Sequence, residues 1–205
     1  MKKLTLALML IAGVATGCSK VSEGRSGTGT PDPKAIVAEA SHKLYLLKAL
    51  SGNIETVGET SFKQHVDYVA PDRYHYTYSD ATGAATEMII IGDQSYIKEG
   101  DAWKPTPAGQ SAPPTLRNSY SDEVMKTLSD VHFDGEETLN GKPALVYSYH
   151  AMMLVGNFPV AEKIWIAKNS GLPLKSDIEN PSGVVKHMTI TFDTDSPVTI
   201  EPPIK

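Results

Sequence analysis

The feature that most constrains this chain is a hydrophobic period of two, repeated along most of its length. Tyr74, Tyr76 and Tyr78 alternate with His75 and Thr77, the spacing of a strand with two different faces. Residues 60–69, 73–79, 87–91 and 94–98, then a segment reaching Trp103, read as successive strands. After Val131 the pattern returns over residues 136–139, 144–150, 161–167, 174–179 and 184–192. The breaks between them are short and carry turn chemistry: Gly92-Asp93, Asn140-Gly141, Asn169-Ser170-Gly171 and Asn180-Pro181-Ser182-Gly183. Strands joined by turns this short must be antiparallel, because a parallel pair needs a crossover of about a dozen residues or more.

Two segments break the period. Asp32 and Pro33 suit a helix N-cap and first turn, and Ile36, Val37, Ala40, Leu44 and Leu47 follow at spacings of three and four. Ser51-Gly52 is read as the stop of this helix. Its apolar face can pack on a sheet or line a cavity. Residues 121–128 form a second, shorter helical pattern, with Asp122 and Glu123 in the first turn. Between the two blocks, residues 105–120 carry four prolines and little that could build a core. The C-terminal stretch from Pro197 fits either an edge strand or a tail.

The order is helix, about five strands, short helix, about five strands. This predicts an α+β fold: a large curved antiparallel sheet with helices covering the concave face. A sheet this wide curls, and two helices do not fill its hollow, so a groove is expected.

The N-terminus says where such a domain works. Met1-Lys2-Lys3 is a short basic start, and residues 4–14 are apolar apart from Thr5 and Gly13. Eleven helical residues span about 16 Å, half of a ~30 Å hydrocarbon core, which is the length of a signal peptide and not of a membrane span. Ala15-Thr16-Gly17-Cys18 closes the segment, and Cys18 is the single cysteine. These residues resemble the lipobox of bacterial lipoproteins. That resemblance implies cleavage after residue 17, a diacylglyceryl group on the Cys18 thiol and a further acyl chain, of palmitate type, on the new amine. Ser19, in place of an aspartate, implies delivery to the outer membrane if the source is Gram-negative. Residues 18–33 then form a lipidated tether rich in Gly, Ser, Thr and Pro. Its 15 residues after Cys18 give an r.m.s. span of about 20 Å and a stretched reach near ~50 Å. Residues 34–205 form the single folded domain.

Charge and cysteine count exclude several classes. The chain carries a formal charge of −5. Removing Lys2 and Lys3 with the signal leaves 17 basic against 24 acidic side chains, or −7. A surface of that sign does not displace counterions from nucleic-acid phosphates. One cysteine allows neither an internal disulfide nor a multi-thiolate zinc site. Six histidines, at 42, 65, 75, 132, 150 and 187, show no metal-binding spacing. Glu136-Glu137 and the Asp177/Glu179 pair read as solvated faces. No nucleophile elbow, P-loop or dinucleotide fingerprint is present. No catalytic, metal or cofactor residue is therefore assigned, and the chain is not expected to be an enzyme.

Three further motifs carry a family resemblance. Ala70-Pro71-Asp72-Arg73-Tyr74, then Ile90-Ile91-Gly92-Asp93-Gln94-Ser95-Tyr96-Ile97 before Trp103, then Ile164-Trp165-Ile166 before Gly171-Leu172-Pro173-Leu174-Lys175 resemble the LolA/LolB-like lipoprotein-localisation group. They are most similar to its branch with the mycobacterial LppX-type lipoproteins, over about residues 33–192. The resemblance implies a half-barrel closed by helices around a hydrophobic cavity that carries or senses acyl chains or lipid.

The candidate ligand-binding residues are Tyr74, Tyr76, Met88, Ile90, Tyr147, Tyr149, Ile164, Ile166, Met188 and Ile190, read as one face of the sheet. Methionine suits a surface that accepts ligands of varied shape. The same residues would serve equally as ordinary core beneath the helices. Two partners follow: the membrane, through Cys18, and a hydrophobic ligand such as the acyl chains of lipid or lipoprotein. The alternative is an envelope protein that binds a protein partner and no lipid.

Overall fold

The computed structural model describes residues 32–106, 116–153 and 158–204. The signal segment, Cys18 and most of the tether lie outside the described residues. The element order is α1 (Pro33–Tyr45), β1 (Ala49–Gly58), β2 (Phe62–Val69), β3 (Arg73–Asp80), β4 (Ala85–Ile91), β5 (Gln94–Glu99), β6 (Ala102–Thr106), a 3-10 turn (Asn118–Tyr120), α2 (Asp122–Lys126), β7 (Ser129–Leu139), β8 (Lys142–Met153), β9 (Phe158–Ala167), β10 (Pro173–Glu179) and β11 (Val185–Asp193). All eleven strands join one sheet in the order β6-β5-β4-β3-β2-β1-β11-β10-β9-β8-β7. Every pairing is antiparallel, and the edge strands β6 and β7 do not meet. This is the single antiparallel sheet expected from the turn spacing, open as the half-barrel that the family resemblance implied.

The chain builds each wing by meandering. β1 to β6 step outward in one direction, and β7 to β11 step back toward β1, where β1 and β11 join the wings. Asn140 and Gly141 adopt φ of 51° and 78°, the left-handed pair that a two-residue hairpin turn requires. β7 is an edge strand, and its register shifts between Ser129 and His132 and between Phe133 and Gly135. Such bulges blunt an edge against pairing with other chains.

One strand departs from the sequence reading. Ser51-Gly52 does not stop the helix, which ends at Tyr45; both residues lie inside β1, in the middle of the sheet. The dipeptide resembles turn chemistry, but Gly52 serves a close approach. A Cβ there would sit 2.9 Å from Leu116 Cδ2 and 3.1 Å from the Thr191 carbonyl oxygen. Leu116, fully buried, rests where a side chain would otherwise stand.

The main core lies between the inner face of the sheet and a helical layer made of α1, the 3-10 turn and α2. Val37, Ala40 and Leu44 of α1 and Leu116, Tyr120, Val124, Met125 and Leu128 meet Ile54, Tyr147, Tyr149, Ile164, Ile166, Ile178, Ile190 and Phe192 of the sheet. Asp32 caps α1 by accepting from the Lys34 N–H at 3.1 Å. Lys34 Nζ donates to the Leu128 carbonyl at 2.7 Å and Arg117 Nε to the Tyr45 carbonyl at 2.7 Å, which pins both ends of the helix.

Two small clusters occupy the outer face. Ala144, Val146 and Trp165 form one. The C-terminal stretch forms the other: it is neither an edge strand nor loose, because Ile200 is buried against Ile89 and Tyr96. Arg73 Nη1 holds it by donating to the Ile200 carbonyl at 2.6 Å.

Candidate functional site

Strand register decides which side chains share a face. Tyr74 pairs with Ile90 and Tyr76 with Met88. Tyr68 pairs with Tyr74, and Tyr68 faces the core. On the other wing Tyr147 pairs with Ile164 and Leu145 with Ile166. Ile54 pairs with Ile190 and Thr56 with Met188. All ten candidate residues therefore point to the inner face, and the structure separates them into two groups.

The first group is core. Tyr147, Tyr149, Ile164, Ile166 and Ile190 are buried beneath the helical layer. The second group lies toward or on the β1–β6 wing. Tyr74, Tyr76, Met88 and Met188 are half-buried, and Ile90 is buried among them. Phe62, Tyr78 and Ile97 continue this half-buried surface. The rings of Phe62 and Tyr78 stand 5.1 Å apart and those of Tyr68 and Tyr74 5.2 Å apart. The Tyr76 hydroxyl donates to Met88 Sδ at 3.0 Å. Burial raises the Tyr74 and Tyr76 phenols above their ordinary values, so both stay neutral at physiological pH. The inner surface of this wing is therefore mainly aromatic and apolar, with Gln64, Ser95 and Thr106 among its polar members.

A buried polar node lies within the core beneath the helical layer, and the sequence reading did not single it out. Glu162 of β9 points to the inner face. The Tyr120 hydroxyl lies 3.2 Å from its Oε1 and donates to Ser176 Oγ at 2.9 Å. The Tyr149 hydroxyl is buried beside the same carboxyl, and burial and that carboxyl raise it well above an ordinary phenol. Burial raises the Glu162 carboxyl above the usual glutamate value, against the opposing pull of the Ser176, Tyr149 and Tyr120 hydroxyls. Tyr120 is raised well above an ordinary phenol by burial and by the adjacent carboxyl. The node ties the segment before α2 to the sheet, and the Tyr120 ring seats edge-on against Phe192 at 5.4 Å. A signal for it exists in the sequence. Val160, Glu162, Ile164 and Ile166 share one strand face, and one acid among them is out of place unless neutral or partnered.

The outer face offers a different surface. A groove of about 390 Å³ crosses β7 to β11, lined by Asp130, His132, His150, Lys163, Glu179 and His187 among others. Its charges are engaged with one another: His187 Nδ1 with Glu179 at 2.7 Å, His150 with Asp130 at 3.4 Å, and Lys175 with Asp177 at 2.7 Å. Glu136 meets Lys168 at 2.8 Å, and Glu137 accepts from Trp165 Nε1 at 2.7 Å. Among the described residues no group of three His, Cys, Asp or Glu side chains is placed to hold a metal ion. The acidic pairs noted in the sequence are members of surface ion pairs.

No family model matches the chain. No curated protein matches it. Solved structures do match in fold. LprF from Mycobacterium bovis superposes with a TM-score of 0.66 at 15% identity, covering 86% of this chain and 99% of that one. The Mycobacterium tuberculosis lipoprotein LppX superposes with a TM-score of 0.63 at 15% identity, covering 84% and 100%. The chain thus has the LppX-like half-barrel fold over nearly all of its described residues, as the three sequence motifs implied.

Proposed function

We propose that this protein is a lipid-anchored lipoprotein of the bacterial cell envelope that holds a hydrophobic ligand, the acyl chains of a lipid or lipoprotein, on the inner face of its half-barrel. One observation carries the reading: the β1–β6 wing presents Phe62, Tyr74, Tyr76, Tyr78, Met88 and Ile97 half-buried on the inner face, continuous with a core that the helices cover elsewhere. Acyl chains laid on that wing gain about 25 cal/mol for each Å² of apolar area taken from water. The fold shared with the lipoprotein LppX supports the reading. Cys18 as the acylated residue, with the outer membrane as destination, accounts for a single cysteine placed directly after a signal-length apolar segment. The reading assigns no catalytic residue and no cofactor.

Native mass spectrometry with lipid extraction tests it, on the domain from Ser19 onward secreted without its cysteine. Co-purifying lipid or acyl peptide supports the reading and identifies the ligand class. Apo protein that also fails to bind fluorescent fatty acids overturns it, and leaves the same face as a docking surface for a protein partner.

A further inference from the structure

We infer that Arg117 is a head-group site: its guanidinium, where the helical layer meets the β1–β6 wing, binds the carboxylate or phosphate of an anionic amphiphile whose chain lies on that wing. The inference deepens the proposed function and rests on it, since it names the chemical class of the ligand that the inner face holds.

Arg117 is fixed by its neighbours in the chain. Leu116 is buried in the space that Gly52 leaves, and Tyr120 is fully buried. The Tyr120 N–H donates to the Arg117 carbonyl at 3.1 Å. The guanidinium, on a half-buried side chain, stands 4.1 Å from the ring centre of Tyr45, the last residue of α1, and 5.1 Å from that of Tyr68 on β2. Tyr68 faces the core, and its ring lies 5.2 Å from that of Tyr74 on β3. The Arg117 charge draws the Tyr74 phenol down, against the burial that raises it. The cation thus sits over the inner face, beside the first exposed rings of the wing.

What sets Arg117 apart is its lack of a counter-charge. Every Lys and Arg on β1 to β6 meets a carboxylate: Lys63 meets Glu55 at 3.2 Å, Arg73 meets Glu201 at 3.8 Å, Lys98 meets Glu87 at 2.6 Å, and Lys104 meets Glu99. Arg117 forms no ion pair among the described residues. Asp72 acts on the same Tyr74 phenol but does not pair with Arg117. Arg117 Nε donates to the Tyr45 carbonyl at 2.7 Å, which leaves Nη1 and Nη2 without a hydrogen-bond partner among the described residues. A partly desolvated cation calls for an anion, and stacking on tyrosine faces meets only part of that need. The planar fork of Nη1 and Nη2 matches the paired oxygens of a carboxylate or phosphate. From Tyr74 the inner face continues through Tyr76 and Tyr78, with Ile90, Met88 and Ile97 beside them. An amphiphile with its anion at Arg117 lays its chain on these residues.

The test uses the chain from Ser19 onward without its cysteine, whose compact unit runs from Pro31 to Lys205. Isothermal titration calorimetry at about pH 8, where a carboxylic acid is ionised, compares decanoate, decyl phosphate and decanol, with acetate as the free anion. The expected result is that both long-chain anions bind about tenfold tighter than decanol, the size of one charge-assisted hydrogen bond, and that acetate does not bind. Arg117→Gln should bring both anions down to the affinity of decanol, and Arg117→Lys should keep part of the preference. A purely structural role would instead weaken all three long-chain ligands together, which overturns the inference. The wild-type preference needs no variant, so it decides the matter even where a variant fails to fold. Equal wild-type affinity for decanoate and decanol overturns the head-group site and leaves acyl-chain binding standing. A preference that persists in folded Arg117→Gln places the anion elsewhere and overturns it too, as does acetate that binds as tightly as decanoate. Binding of none of the long-chain ligands overturns the proposed function and this inference with it.

Discussion

Replacing Tyr120 with phenylalanine removes one oxygen from the centre of the molecule and leaves the packing around it unchanged. The ring keeps its edge-on contact with Phe192. What disappears is the hydroxyl donated to Ser176 and set beside Glu162. A hydrogen bond of this kind contributes about 1 kcal/mol net, and leaving a buried partner unsatisfied costs about 1–3 kcal/mol. The expected loss is therefore about 2 kcal/mol. For a domain of this size each kcal/mol shifts Tm by roughly 2–4 °C, so the drop is about 4–8 °C. Tyr120→Ala adds the loss of the ring, and the total rises to about 3–5 kcal/mol or more. Thermal unfolding followed by circular dichroism reads both. Tyr120→Phe within about 1 °C of wild type, less than the roughly 2 °C expected from a single kcal/mol, would refute the view that this hydroxyl locks the helical layer to the sheet.

Further outcomes follow from the same geometry. Glu162 holds its proton above the ordinary glutamate value because it is buried. The folded state therefore binds more protons than the unfolded one across the window from that ordinary value up to the raised one, and stability must fall as pH rises through it. Glu162→Gln should flatten this slope, measured as Tm against pH; an unchanged slope would show that another group titrates there. Gly52→Val should destabilise by about 1–3 kcal/mol through the clash with Leu116 and the Thr191 carbonyl, read as the midpoint of urea unfolding; a neutral result would contradict the close approach. Met88→Asp places a charge on the half-buried wing beside Tyr76 and should abolish lipid co-purification while the circular dichroism spectrum stays unchanged. Retention of lipid by that variant would move the ligand off this wing.

Much of the fold is written locally. The tyrosine alternation of β3, the Asn140-Gly141 turn and the short α2 behind Ser121 each announce themselves within a few residues, and the structure places them where the periodicity puts them. β1 was illegible for a physical reason. Ser51-Gly52-Asn53 carries the residues of a turn, and the need for glycine comes from Leu116, far along the chain. The C-terminal segment shows the same limit, since its place depends on Arg73 and on the outer side chains of β4 and β5. The inner face itself was readable by parity. Which half of it the helices fill was not, because α1 and the segment from Leu116 to Leu128 choose their seat by tertiary packing. The Glu162 node joins residues 42 and 56 positions from Tyr120, and only its odd polarity on an apolar strand face was visible in advance.

Photocrosslinking separates acyl chains held on the inner face of the β1–β6 wing from chains held elsewhere. A fatty acid with a diazirine near the chain terminus is bound to the secreted domain, irradiated, and the adducts are located by peptide mass spectrometry. Acyl chains on that face give adducts on Phe62, Tyr74, Tyr76, Tyr78, Met88 or Ile97, which are lost when unlabelled lipid competes. Adducts confined to the outer groove around His150 and His187, or spread evenly over the surface, would contradict that placement.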